Sequence, residues 1–410
     1  MHSLAWVAAL APLLGALGMA RARDGNMARW MAAGALAISL AASLAIMAGS
    51  AVKGIGPAPM ALFALLALVT AAAMPRQDAQ PRALAWLLLL AAGTQTVYGS
   101  ENQLLLLAGY ALTVAPFLDR EKPFSSLVLA AGCVALGAAL AFGSFWPLVV
   151  AIMLRKAMFP WRGSMMAALL FNGHLGAFLL VKLMKHDAVA GQWLPVVGVA
   201  ALVAAVIAAV AALADGHPRR VLALVAASQA GCILAGLASA TPEAVQGALM
   251  QWMVVGLAST GLFTVYRLIE VRYGGESTGR EFLGLAERFP RLAVFFAVCA
   301  LAMVGLPGTL GFLSEDLLIH GLMETQSYIG ILQPLAAALN AITLLRLFST
   351  LFLGRRVRGM EAVPDAIPRE RWALSALVAL LVLGGLAPGF VTALNAPATD
   401  LTARAESHRR

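Results

Sequence analysis

The sequence predicts an all-α, polytopic membrane bundle of about fourteen transmembrane helices, organised as a single transmembrane domain over residues 1–410. Three observations predict it. Hydrophobic residues fill 61% of the positions and charged residues only 12%, whereas a soluble domain carries about 25% charged residues. Mean hydropathy is +0.85, more apolar sequence than a soluble core can bury, so the excess must face lipid. The apolar residues also gather in repeated runs of about 20, the length a helix needs to cross a hydrocarbon core of roughly 30 Å.

The first run, 3–20, has the apolar core of a signal peptide, but its basic residues Arg21 and Arg23 follow the run instead of preceding it. It therefore reads as a retained first helix. Runs 30–50, 57–75, 82–98, 102–118, 123–142 and 144–159 follow, then 163–184, 192–214, 219–240 and 244–270. Several linkers are so short that neighbouring helices must pack antiparallel, and abundant Ala and Gly suit close helix approach in lipid. The twelfth run, 288–325, is too long for one straight span and is interrupted by GLPGTLGF at 305–312. Pro307 removes a helix hydrogen bond and the glycines loosen the backbone, which predicts a broken helix 12. A break at membrane depth lines a cavity or is buried in protein; the alternative is a helix–loop–helix at the surface. Runs 328–354 and 370–394 complete the set.

The net charge of +9 could suggest nucleic acid, but the basic residues sit in short loops between the apolar runs. That is the positive-inside pattern, and it makes the bilayer, not nucleic acid, the partner. Arg21, Arg23 and Arg29, Arg76 and Arg82, Arg120 and Lys122, Arg219 and Arg220, Arg267, Arg272 and Arg280, and Arg355, Arg356 and Arg358 mark the cytoplasmic side. Both termini are then periplasmic in a cell inner membrane, although Arg404, Arg409 and Arg410 run against the bias. Cys133, Cys232 and Cys299 lie in separate runs with no CxxC pair, so no zinc or iron–sulfur site is expected. No nucleotide motif is present. The chain thus offers no cofactor, no metal and no catalytic centre of its own, and hydropathy excludes a soluble enzyme.

The few charges within apolar runs carry the functional argument, because an intramembrane charge is costly and by default functional. Arg155 and Lys156 end the run FWPLVVAIML. Adjacent helix residues project about 100° apart, so one can face a polar interior while the other snorkels; both can equally be anchors at a helix end. A buried lysine can carry protons, an arginine cannot. His174, inside the eighth run with Asn172 nearby, can relay protons or simply bond a neighbouring helix. Glu315 and Asp316 follow the break, with His320 five residues after Glu315. They read either as a polar site near the membrane middle, favoured by a helix dipole, or as acidic first-turn residues behind a Ser314 cap. Arg346 needs a partner, for which Glu315 or Asp316 is the natural candidate. Asp215, His217, Arg219 and Arg220 form a turn between the ninth and tenth runs. Tyr110, Gln229, Gln251 and Ser259 are uncharged polar residues able to support a water chain or to bond between helices.

Four motifs in order carry a family resemblance over about residues 57–360: RKAMFPW at 155–161, DGHPRRVLALVAASQAG at 215–231, GLPGTLGFLSED at 305–316 and ALNAITLLRLFSTLFLG at 338–354. They resemble the antiporter-like membrane subunits of complex I, of Mrp-type cation/proton antiporters and of DAB-type inorganic carbon pumps. The resemblance implies fourteen helices, two inverted five-helix repeats, broken helices seven and twelve, and proton movement along a central polar axis. In the family that axis pairs a helix-five glutamate with a helix-seven lysine and ends in a lysine or glutamate on helix twelve. Arg155 matches the helix-seven lysine, Tyr110 the helix-five glutamate, Ser259 the helix-eleven lysine and Ala168 the helix-eight histidine; Glu315 and Arg219 match their positions. About a dozen residues of the family pattern are missing after Pro160.

The resemblance therefore implies a divergent, proton-conducting or gradient-coupling subunit of a hetero-oligomeric complex. Its ion pathway would comprise Arg155, Lys156, His174, Arg219, Glu315 and Arg346, with Lys156 and His174 carrying or gating protons and Glu315 the terminal acid oriented by Arg346. The partners would be other membrane or peripheral subunits. These belong either to an NADH-quinone-oxidoreductase-like complex or to an inorganic carbon uptake complex with a zinc-dependent, carbonic-anhydrase-like subunit. The alternative is a non-conducting scaffold that anchors a peripheral enzyme.

Overall fold

A computed structural model describes residues 2–393 apart from position 23, segments 50–56, 119–122, 158–173, 184–189, 276–280 and 356–362, and positions 240 and 326. Sixteen α-helices and no strands occur among the described residues. They are α1 (His2–Gly18), α2 (Gly25–Gly49), α3 (Pro57–Ala73), α4 (Pro81–Gly99), α5 (Gln103–Val114), α6 (Pro123–Phe142), α7 (Phe145–Ala157) and α8 (Leu175–Leu183). Then come α9 (Ala190–Ala214), α10 (Pro218–Ser239), α11 (Pro242–Tyr273), α12 (Pro290–Met303), α13 (Leu310–Thr325), α14 (Ser327–Gly330), α15 (Leu332–Phe352) and α16 (Pro368–Leu386). Each of the fourteen apolar runs holds at least one of these helices. The count rises to sixteen because the twelfth run is split into α12 and α13 and because α14 is a single turn before α15. The 163–173 portion of the eighth run lies outside the described residues. Among the described residues, six helices are long and apolar enough to cross a membrane by length and composition.

Local sequence explains most helix starts. Pro stands at the first helical position of α3, α4, α6, α10, α11, α12 and α16, where its missing N–H costs nothing. Asn102 caps α5 by accepting from the Leu104 and Leu105 amides, and Thr241 accepts from the Ala244 amide at the start of α11.

The contacts cluster into two compact units. In the first, residues 1–159 and 169–192, α1 packs on α2 and α4, and the chain then steps from α4 through α5, α6 and α7 to α8. Gly93 of α4 and Gly109 of α5 face each other so closely that a Cβ on either would come within 2.9 Å of the other's carbonyl oxygen.

In the second unit, which includes residues 193–410, α11 is the central post. It packs against α10, α12, α13 and α16, and 94% of its most apolar stretch is buried, as a helix apolar on all sides should be. Gly247 lets α11 approach the α13 backbone, where a Cβ would stand 2.6 Å from the Leu318 nitrogen.

The break between α12 and α13 is built as the sequence suggests. Gly305 and Gly308 take the positive φ values of 74° and 88° that only glycine adopts without strain. The Leu306 amide bonds back to the Leu301 carbonyl at 2.9 Å, and the Thr309 amide to the Leu306 carbonyl at 3.1 Å. Gly311 then comes so near α12 that a Cβ would lie 1.9 Å from the Ala302 carbonyl oxygen.

Candidate functional site

In the first unit the polar core lies between α5 and α7. Arg155, near the end of α7, is buried at 8% exposure. Its guanidinium carbon sits 4.7 Å from the centre of the Tyr110 ring, and its Nη1 donates to Thr113 Oγ1 at 3.0 Å. Tyr110 and Thr113 are three residues apart on α5, so they share one face. The Tyr110 hydroxyl points at the Ala151 carbonyl at 3.4 Å. The two positions that the family resemblance pairs as glutamate and lysine are therefore neighbours here, but as a cation on an aromatic face. Such an arrangement is attractive when desolvated. It holds a permanent charge, because a guanidinium does not give up its proton. Lys156 lies in α7, and its side chain is outside the described residues.

His174 is not inside a helix as expected. It precedes α8 with a φ of 39°, and its carbonyl accepts the Phe178 amide at 3.0 Å, so it begins the helix. Its side chain is buried at 6% exposure. Asn172 and Ala168 lie outside the described residues.

The second unit holds a polar core around Glu315. Glu315 is buried in α13 just beyond the break. Gly305, across the break, leaves it room, since a Cβ there would stand 2.6 Å from Glu315 Oε2. Gln229 on α10 reaches the same carboxyl and also donates to the Met303 carbonyl, the last residue of α12, at 3.2 Å. Gln251 on α11 donates its Nε2 to Gln229 Oε1 at 2.8 Å, and its Oε1 accepts from the Ser314 hydroxyl. Glu315 thus ends a chain of neutral side chains from three helices, and its Oε1 has no hydrogen-bond partner.

Several expectations are corrected here. Ser314 is not a helix cap: α13 begins four residues earlier at Leu310, and the Ser314 hydroxyl faces Gln251 and the Gly311 carbonyl within the core. Asp316 and His320 are exposed and pair with each other on the outer side of α13, with His320 Nδ1 2.8 Å from the Asp316 carbonyl oxygen. Arg346 does not orient Glu315. It bonds the carbonyls of Ala212, Leu213 and Asp215 at 3.2, 2.5 and 2.7 Å, closing the C-terminal end of α9, where orphan carbonyls and the helix dipole both favour a cation.

Arg219 belongs to a clasp at one end of the second unit. Its Nε and Nη2 both donate to Glu270 at 2.7 Å, and Arg267 Nη1 adds a third bond at 3.2 Å. Arg272 holds Glu370 of α16 at 2.6 Å. Beside them residues 283–286 hydrogen-bond to 350–353 along the backbone, as in Leu283 to Thr350 at 2.8 Å and Ala286 to Phe352 at 2.9 Å. Among the described residues no group of three or more His, Cys, Asp or Glu converges as a metal site would.

Sequence reasoning missed Thr113 as the hydrogen-bond partner of Arg155. Its signal was there, one helical turn from Tyr110. It named Gln229 and Gln251 but not their link to Ser314 and Glu315.

Comparison with known proteins agrees with this architecture. Residues 82–340 match the family described as NADH:quinone oxidoreductase/Mrp antiporter, TM. NADH-quinone oxidoreductase subunit M of Rhodobacter capsulatus is 28% identical over 255 residues, 62% of this chain and 49% of the relative. NAD(P)H-quinone oxidoreductase chain 4 of Acaryochloris marina is 28% identical over 245 residues, 56% of this chain and 45% of the relative. The chain thus spans about half the length of the curated relatives it matches. Among solved structures, a chain of the Mrp complex from Dietzia sp. DQ12-45-1b superimposes with a TM-score of 0.82 at 17% identity, covering 97% of this chain and 96% of that one. A chain of respiratory complex I from Thermus thermophilus gives 0.80 at 21% identity, with 98% and 99% covered. These likenesses establish the fold.

Proposed function

The chain belongs to the NADH:quinone oxidoreductase/Mrp antiporter transmembrane family, and from that premise we propose that it is a proton-conducting or proton-gradient-coupling membrane subunit of a larger complex. The observation that carries this reading is Glu315. It is a buried carboxyl beside a helix break, reached by the neutral amide of Gln229, which Gln251 and Ser314 support in turn. A carboxyl in that setting can exist with or without its proton, which a relay requires. Arg155 cannot alternate in this way. It acts as a fixed charge that shapes the potential in the first unit, and Glu315 is the proton-handling acid of the second.

Of the remaining ion-pathway candidates, His174 stays as a buried group able to exchange a proton, and Lys156 as a second cation on α7. Arg219 and Arg346 serve the pathway by holding helix ends in place. The membrane is a cell inner membrane with both termini periplasmic, on the Lys/Arg loop bias. The solved relatives are parts of multi-subunit complexes, an Mrp complex and respiratory complex I, which supports partner subunits, and the NADH-quinone oxidoreductase relatives put the respiratory type first. An inorganic carbon uptake complex with a zinc-dependent, carbonic-anhydrase-like peripheral subunit is the second assignment, and it rests on the motif resemblance.

Two experiments test the reading. Affinity purification of the tagged chain in mild detergent should recover further subunits: quinone-reducing or iron–sulfur proteins for the respiratory assignment, one large zinc protein for carbon uptake. In cells, Glu315→Gln should abolish the gradient-dependent activity of that complex while leaving its assembly intact. Full activity in that variant would favour the scaffold alternative, motivated by Tyr110 and Ser259 standing where the family carries charge.

A further inference from the structure

The outward face of α13 departs from those of the helices around it. Ile207 and Val210 of α9, and Ile342 and Leu345 of α15, are exposed and suit lipid. On α13 the exposed side chains are Phe312, Asp316, His320, Met323 and Glu324. Asp316, His320 and Glu324 follow at four-residue steps, so they stand one above the other on one side of the helix. Asp316 is 52% exposed and His320 71%, with His320 Nδ1 3.5 Å from Asp316 Oδ1.

Part of this face lies at membrane depth. α13 runs antiparallel to α11: Ser314 meets Gln251, Gly247 approaches the Leu318 nitrogen, and the Gly321 carbonyl accepts from Thr241 Oγ1 at 3.2 Å. Asp316 therefore stands level with Leu249, seven residues or about 10 Å inside the start of α11. α10 has 22 residues, about the length that crosses a hydrocarbon core, so the turn between α10 and α11 marks a membrane edge. An ionisable side chain turned toward lipid below that edge is costly, and such groups face protein or water instead.

The charge at this end of the unit has one sign. Glu243, in the first turn of α11, is exposed here as well. Among the described residues of the unit every arginine lies at the other end: on the last turns of α11, on or just after those of α15, in the first turns of α10 and α16, and in or just before that of α12. No lysine occurs among them.

We infer that this face of α13 is an interface for another subunit, and that the occupant is a membrane-spanning helix bringing a lysine or arginine to the level of Asp316. Each charge alone would be costly against lipid; paired, they neutralise one another and select the partner. Phe312, one turn before Asp316, and Met323, beside Glu324, flank the pair with residue types enriched in interface cores. The inference rests on the subunit reading above and names the surface through which the chain joins its complex.

The test is purification of the tagged full chain from its native cells in mild detergent. In one form, the photo-crosslinker benzoylphenylalanine replaces His320 in an otherwise unchanged chain, and mass spectrometry identifies what light attaches to it. One membrane subunit is expected, joined within a transmembrane segment that carries a lysine or arginine. In a second form, Asp316→Arg should recover that subunit at roughly one tenth of the wild-type yield or less, because like charges then meet. Asp316→Glu keeps the charge and should recover it fully. Thermal unfolding of the tagged chain shows whether Asp316→Arg keeps its fold, and the crosslink decides the matter if it does not. Attachment to lipid alone, or to a segment without a basic residue, overturns the inference, and so does full recovery of partners by a folded Asp316→Arg chain. Those outcomes leave the subunit reading standing if the wild type brings partners with it; a wild-type chain recovered alone ends both.

Discussion

Arg155 shows how a buried cation can be held by an aromatic face and a hydroxyl. The guanidinium is held by the Tyr110 ring face and by Thr113. The ring face and the hydroxyl both meet the guanidinium, the hydroxyl through a hydrogen bond with Arg155 beside its long contact of 3.4 Å to the Ala151 carbonyl. Tyr110→Phe, which keeps the ring, should therefore cost about 1 kcal/mol, the worth of one hydrogen bond, and Tyr110→Leu about 1–2 kcal/mol more, the worth of a desolvated cation–π contact. Thermal unfolding of the two variants in detergent checks this, and equal losses would assign the role to the hydroxyl. Glu270 gives a second residue-scale prediction. Its side chain is 3% exposed and receives three bonds from Arg219 and Arg267. Glu270→Gln should destabilise by about 2 kcal/mol, at the lower end for a broken buried pair because both arginines are partly solvated. The Arg155–Tyr110 neighbourhood was legible only through the family resemblance, which implies that the two stand at paired helix-seven and helix-five positions. It misplaced Arg346 because charge alone suggests a carboxylate, whereas the end of α9 offers three carbonyls that a sequence does not display as a site.

At the scale of elements, hydropathy runs located the helices and the GLPGTLGF break well, since both follow from local chemistry: apolar length, a missing proline N–H and glycines able to take positive φ. What the runs hide is which faces meet. Gln229, Gln251 and Ser314 sit on three different helices, and no period in the sequence marks uncharged polar residues as partners. The break is fixed by close backbone approaches. Gly385 of α16 packs on the connecting segment so tightly that a Cβ would lie 2.3 Å from the Thr309 carbonyl carbon. Gly385→Ala should push that segment away and cost about 1–3 kcal/mol, as overpacking does. Gly275→Ala serves as control, since nothing stands within 4 Å of its added Cβ. A thermal shift no larger for Gly385→Ala than for Gly275→Ala would mean that the break does not depend on α16.

The molecule as a whole joins a family scaffold to a reduced set of charges. Family membership accounts for the helix order and the break, and the motif resemblance implies that Tyr110, Arg155 and Ser259 stand where the family carries charge. On this account the acid that handles protons is Glu315, reached by the neutral Gln229 side chain. The most direct test is proton flux into liposomes containing the purified full chain, with a pH-sensitive dye inside and an imposed potential, comparing wild type with Glu315→Gln. The variant keeps the shape and the hydrogen-bonding capacity of the side chain but cannot exchange a proton. The account predicts flux in the wild type that falls to the protein-free background in Glu315→Gln, with both proteins equally stable; equal flux from the two would contradict it.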